Sequence, residues 1–172
     1  MNVRLVPEIR NINPLSVSVG LFLLISLCYM IIGVLTPIFD RRFGVGLVER
    51  FGFVFSPRSD EVAFGKTSME VIREQPVAVA IYTVVYYMLA GLYMAGFILH
   101  TTLVWFGLRQ GQPWALWSLI IADLTIPIYF FLAVQYFSKN VASLTLGDLP
   151  PYVLLPLAIL PFAAGFGLFG IQ

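Results

Sequence analysis

The chain has 172 residues, of which 59% are hydrophobic and only 11% charged, with ten Lys+Arg set against nine Asp+Glu. Soluble domains average about 25% charged residues, so this chain lacks the polar surface to cover a water-facing globule, which excludes a soluble enzyme and a disordered protein. The formal net charge of +1, without a basic block, excludes a nucleic-acid-binding domain, and the single cysteine excludes an intramolecular disulfide.

Charge at the bilayer centre costs about 2.5–3.5 kcal/mol per residue, so charge-free stretches mark membrane spans. The first runs from Asn11 to Phe39 and predicts a helix over 16–38. Arg4 and Arg10 precede it as in a signal peptide, but its apolar run is too long and no A-x-A-like site follows, so a retained anchor is expected.

The segment 40–76 then holds six of the ten basic and six of the nine acidic residues. Phe39, Phe43, Leu47, Phe51 and Phe55 recur every four residues, with Arg41, Arg42, Glu49 and Arg50 mostly off that stripe. This suits either a helix lying in the headgroup plane or, given Gly44, Gly46 and Gly52, an irregular loop folded over the bundle. A turn is expected after Pro57, and a short helix over 68–73 ended by Gln75-Pro76.

The second span is expected at 78–107 and the third at 114–137, joined by Arg109-Gln110-Gly111-Gln112-Pro113, a turn so short that the two helices are expected to be antiparallel neighbours. The fourth, 151–171, carries Pro156 and Pro161 and is expected to bend. Gly91-x-x-x-Ala95 and Ala163-x-x-x-Gly167 are candidate helix-contact patterns. The fold expected is all-α: four transmembrane helices with an interfacial, partly helical loop between the first two, in one membrane domain spanning 1–172. An even number of spans puts both termini on one side, and the Lys/Arg distribution favours a cytoplasmic first loop.

Two titratable residues lie deep in the spans. His100 is seven residues before Gly107 and Asp123 nine after Trp114, which puts them about 10 and 13 Å from the shared turn at 1.5 Å per residue, at nearly one depth. Tyr82, Tyr86, Leu89, Tyr93, Gly96, His100, Leu103 and Gly107 follow a four-three alternation along span two, and Leu116, Leu119, Asp123, Pro127, Phe130 and Val134 do the same on span three. A buried acid without a partner is expensive, so His100 and Asp123 are expected to meet near the bilayer centre, with Tyr93 one to two turns away. Pro127 frees the Asp123 carbonyl as a further acceptor.

Such a pair serves either as glue between helices or as a working site. Asp123 and His100 could handle a proton; His100 with Gly96 and Tyr93 could border a tetrapyrrole, and the Tyr, His and Asp hydrogen bonds could hold a quinone. The sequence itself requires no cofactor. Gly65-Lys66-Thr67 lacks the first glycine of a P-loop, since position 60 is Asp60. No His/Cys/Glu cluster has zinc spacing, and no independent catalytic activity is expected. The segment GLRQGQPWALW resembles short turns of small prokaryotic membrane proteins and implies no activity, only a prokaryotic cell membrane as the expected location. The leading expectation is an accessory or scaffold subunit of a larger membrane complex, in contact with lipid and other integral membrane subunits; the alternative is a cofactor-, pigment-, quinone- or proton-handling component centred on His100 and Asp123.

Overall fold

The computed structural model of the chain describes residues 13–43, 52, 56–141, 143 and 151–172. Among them there is no strand. The elements are α1 (Pro14–Phe43), α2 (Pro57–Phe64), α3 (Ser68–Glu74), α4 (Pro76–Phe106), a 3-10 turn (Leu108–Gln110), α5 (Pro113–Asn140) and α6 (Pro151–Ile171). α1, α4, α5 and α6 are each long and apolar enough to cross a membrane. The protein is an all-helical, multi-pass membrane protein with a helical region between its first two spanning helices. The aromatic stripe expected over 39–55 lies largely outside the described residues.

Proline at the first helical turn, where its missing N–H costs nothing, opens α2, α4 and α5. Pro57 therefore begins a helix where a turn was expected: Ser56 caps it, Ser59 closes the reciprocal capping box, and Gly65 in the left-handed region (φ 64°) ends it. The helix expected over 68–73 is present as α3, capped by Thr67 and Glu70. Glu70 accepts from the Thr67 backbone N–H at 2.8 Å, which, with the Thr67 hydroxyl, holds its carboxyl below the usual glutamate range.

α1 is the hub. Its residues Ser18, Phe22, Ile25, Tyr29, Gly33 and Thr36 are buried and recur at spacings of three and four, making one continuous inward stripe. Within the most apolar window of each helix, 33% of α1 is buried against 11% for both α4 and α5. The small and hydroxyl residues of the stripe set the contacts. Ser18 donates to the Ala163 carbonyl on α6 at 2.7 Å; Ser26 donates to the Phe97 carbonyl at 3.3 Å and pairs with Thr101 on α4 at 2.5 Å. Gly33 admits Met94, and Gly167 and Gly170 of α6 admit Ser18 and Leu15.

The two helices expected to be antiparallel neighbours, α4 and α5, are in contact, but neither is the other's main partner. They approach closely at the turn, where Gly107 sits against Ala115 and Gly111 takes φ 72°, but α4 packs chiefly along α1, and α5 leans on α6. A short turn fixes where two helices meet, not how far they stay together. The seam expected on α4 also drifts: Leu89 is exposed and Ala90 is buried in its place. On α5 the expected face holds, with Leu116, Leu119 and Asp123 buried and Pro127, Phe130 and Val134 half-buried. Of the two small-residue patterns, Ala163-x-x-x-Gly167 lies in the α1–α6 contact, whereas Gly91 has open space beside it.

The outward faces carry large apolar side chains, and their hydroxyls bond back to their own helices, Thr102 to the Ile98 carbonyl and Thr125 to the Ile121 carbonyl. Self-satisfied hydroxyls suit an environment without water. Trp105, Trp114 and Trp117 ring the α4–α5 turn, and the Arg109 guanidinium lies 4.3 Å from the Trp105 ring centre. That combination is an interfacial anchor.

Candidate functional site: a carboxylate shared by three helices

Near the middle of α5, Asp123 is 5% exposed and both of its oxygens are engaged. Tyr29 of α1 donates its hydroxyl to Oδ1 at 2.7 Å, and His100 of α4 meets Oδ2 through Nε2 at 3.0 Å. One carboxylate thus ties together three helices, two of which otherwise diverge. Burial is nearly complete on both sides of the histidine contact, with side-chain exposures of 4% and 2%. An intramembrane acid placed inward and paired is what the energetics of low-dielectric surroundings demand.

The histidine is held by rings. Phe22 lies 5.9 Å from it centre to centre, and Tyr29 meets it edge-on at 5.7 Å. These contacts fix the imidazole plane so that Nε2 faces the carboxylate. Nδ1 is buried without a hydrogen-bond partner. Tyr93 stacks at a tilt on Tyr29, ring centres 5.9 Å apart.

Beside the carboxylate is a cavity of about 10 Å³, lined by Tyr29, Tyr93, Asp123, Pro127, Val153 and Pro156 among others. A space of that size holds about one water. It takes a residue from every spanning helix; Asp123 and the two tyrosines are the lining residues with polar side chains, and the rest of the lining is apolar.

His100 and Asp123, expected to meet from their depth alone, are within hydrogen-bond distance, and Tyr93 lies beside them. Gly96 is not part of the cavity and borders open space. Tyr29 is the residue that the sequence reading missed. Its signal was available: it lies on the same three-four stripe as Ser18, Phe22, Ile25 and Gly33, and it is the one tyrosine of α1.

A second buried carboxylate lies outside the spans. Asp60 of α2 is fully buried, accepts from the Ser68 hydroxyl at 2.7 Å, and approaches Gly52, which has φ 75° and lies so close to the Ser56 backbone that a side chain has no room. Tyr86 donates to the Gly52 carbonyl at 2.6 Å, and Val71, Ile72 and Val79 pack with Tyr82 and Tyr86. Tyr82 and Tyr86, expected on the seam toward span three, instead dock α3 and Gly52 onto the first turns of α4.

No protein-family model, curated protein or solved structure matches the chain. Function is therefore argued from the geometry.

Proposed function

We propose that the protein is a proton-handling component of a membrane, with Asp123 as the group that holds the proton and Tyr29 and His100 as the groups that position it. The observation that carries this reading is Asp123 itself: a carboxylate in mid-span, bonded on both oxygens, bordering a cavity about the size of one water. A helix staple needs the hydrogen bonds but not the cavity. A proton site needs both, because the proton must reach the carboxylate through water or a hydroxyl.

The space beside Asp123 does not suit a tetrapyrrole or a quinone ring, and Nε2, the outer nitrogen of His100, is committed to the carboxylate. Those occupants have less support than a proton. The accessory-subunit reading is second. It is favoured by the sparse packing of α5, whose outer face exposes Tyr129 and Tyr136 at 70% and 73%. Tyrosine hydroxyls facing outward suit a polar partner or headgroup better than acyl chains.

The test is proton exchange across sealed vesicles carrying the purified protein and a preset pH gradient. Wild-type protein is expected to dissipate the gradient faster than protein-free vesicles, and Asp123→Asn to return it to the protein-free rate. Equal rates for wild type and protein-free vesicles would leave the triad as helix glue. Co-purification of stoichiometric membrane subunits in mild detergent would favour the accessory reading.

A further inference from the structure

The short helix α2 has its polar and apolar faces in the reverse of the order that water favours. Its two buried residues are Ser59 and Asp60, whereas Val62 and Phe64 are 52% and 47% exposed. A helix on a water-facing surface turns its apolar side chains inward and leaves its acids in solvent. In α2 the acid is turned inward and satisfied there by the Ser68 hydroxyl, and the outward face carries a valine and much of a phenylalanine ring. Burying a carboxylate is costly, so this order suits a helix whose outer face meets something less polar than water.

The level at which α2 is held identifies that surrounding. Trp105 and Arg109 anchor one end of α4 at a membrane interface. Tyr86 lies 19 residues before Trp105 on the same helix, about 29 Å at 1.5 Å per residue, which is one hydrocarbon thickness. Tyr86 therefore marks the opposite edge of the hydrocarbon, with Tyr82 and Tyr87 beside it as an aromatic belt. α2 is tied to this edge. The Tyr86 hydroxyl donates to the Gly52 carbonyl, and Gly52 lies against both the Ser56 backbone and the Asp60 carboxylate. α3 is fixed at the same level, since Val71 and Ile72 pack with Val79, Tyr82 and Tyr86. Further out on α4, Ile81 and Val77 still expose apolar side chains, so the apolar surface continues past this level.

We propose that the outer face of α2 is a lipid-docking surface, with Val62 and Phe64 inserted at the boundary between headgroups and acyl chains. The insertion is apolar and does not select lipid charge. The exposed charges of α2, α3 and the loop between them balance, Arg58, Lys66 and Arg73 against Glu61, Glu70 and Glu74, and Lys66 pairs with Glu74 at 2.6 Å. A surface without net charge gains little from anionic headgroups, so its attachment rests on the apolar area it buries. Asp60 acts as a positioning residue: by bonding Ser68 of α3 it turns the polar side of α2 toward the protein and the Val62 and Phe64 side toward lipid.

The experiment uses full-length protein in nanodiscs, with Cys28→Ser as background and one nitroxide label placed by Val62→Cys, Phe64→Cys, Glu61→Cys or Arg73→Cys. All four side chains are exposed, so the labelled proteins should melt with the background protein. Collisions of each label with oxygen, which concentrates in lipid, are compared with collisions with a water-soluble nickel chelate. The oxygen-to-chelate ratio at 62 and 64 should exceed the ratio at 61 and 73 several-fold, and should be the same in zwitterionic and in anionic nanodiscs. Equal ratios at all four positions would place α2 in water and overturn the proposal. Labels at 62 and 64 shielded from both reagents would overturn it in favour of a protein covering this face. A high ratio seen only with anionic lipid would overturn the apolar mode of attachment.

Discussion

Where α4 turns into α5, the bundle is closed: Leu108, Ala115, Leu116, Leu119 and Ala163 are fully or almost fully buried, Gly107 and Gly167 admit side chains of the neighbouring helix, and Gly170 meets the Leu15 backbone. Beyond Asp123 the same helices diverge, the α5 seam is only half-buried, and a cavity lies among Tyr93, Pro127, Val153 and Pro156. The closed half is made of small residues at helix contacts, which stabilise by van der Waals packing in lipid. The open half contains prolines and tyrosines, which interrupt the ladder and bring hydroxyls. Tyr29, His100 and Asp123 lie on the boundary between the two. This division suggests that stability resides at one end of the bundle and chemistry at the other, and substitutions can separate them.

The largest effect is expected where a side chain would strike backbone. A Cβ at Gly170 runs into the Leu15 main chain, so Gly170→Ala should separate α1 from α6 and cost about 3 kcal/mol, the upper range for overpacking, read by unfolding in mild detergent. Ser18→Ala, which removes the bond to the Ala163 carbonyl, should cost about 1 kcal/mol in the same assay. Gly96→Ala, where an added Cβ meets nothing, should instead stabilise by up to about 1 kcal/mol, because alanine is the better helix former. A loss of stability at Gly96 would show that the open half is more tightly built than its geometry implies. The smallest effect belongs to the polar cap. Glu70 has its carboxyl lowered by Thr67, so its contribution to the α3 cap is present above the ordinary glutamate range and lost as pH falls through the lowered value. Protection from hydrogen exchange at the Thr67 amide, which donates to the Glu70 carboxylate, should fall in acid relative to the intrinsic rate, and Glu70→Gln should remove the pH dependence.

Much of this organisation was legible in the sequence, because membrane spans are written in the absence of charge. The four helices came out within a few residues of their observed bounds. Asp123 and His100 stood out because an ionisable residue in a span must find a partner, and counting from the turn gave their common depth. Two kinds of information were hidden. One was which helix is central: α1 carries no charge before Asp40, so its stripe of Ser18, Phe22, Tyr29 and Gly33 passed as one more apolar run, and Tyr29 went unnoticed. The other was burial within the polar segment. Asp60 looked like one of six solvated acids, but Ser56-Pro57 starts a helix that turns it inward against Ser68. Charge density describes a segment as a whole and does not show which of its residues is enclosed.

The central claim is that Asp123 performs chemistry at the border of a half that is built for stability. It is tested most directly by comparing Asp123→Asn with Ser18→Ala for both melting temperature and proton exchange in vesicles. Asparagine is nearly isosteric and can still accept from Tyr29, so the account predicts near wild-type melting with exchange lost, whereas Ser18→Ala should melt earlier and exchange normally. The reverse pattern, a destabilised Asp123→Asn that exchanges protons as wild type does, would contradict it and leave the shared carboxylate as a staple between three helices.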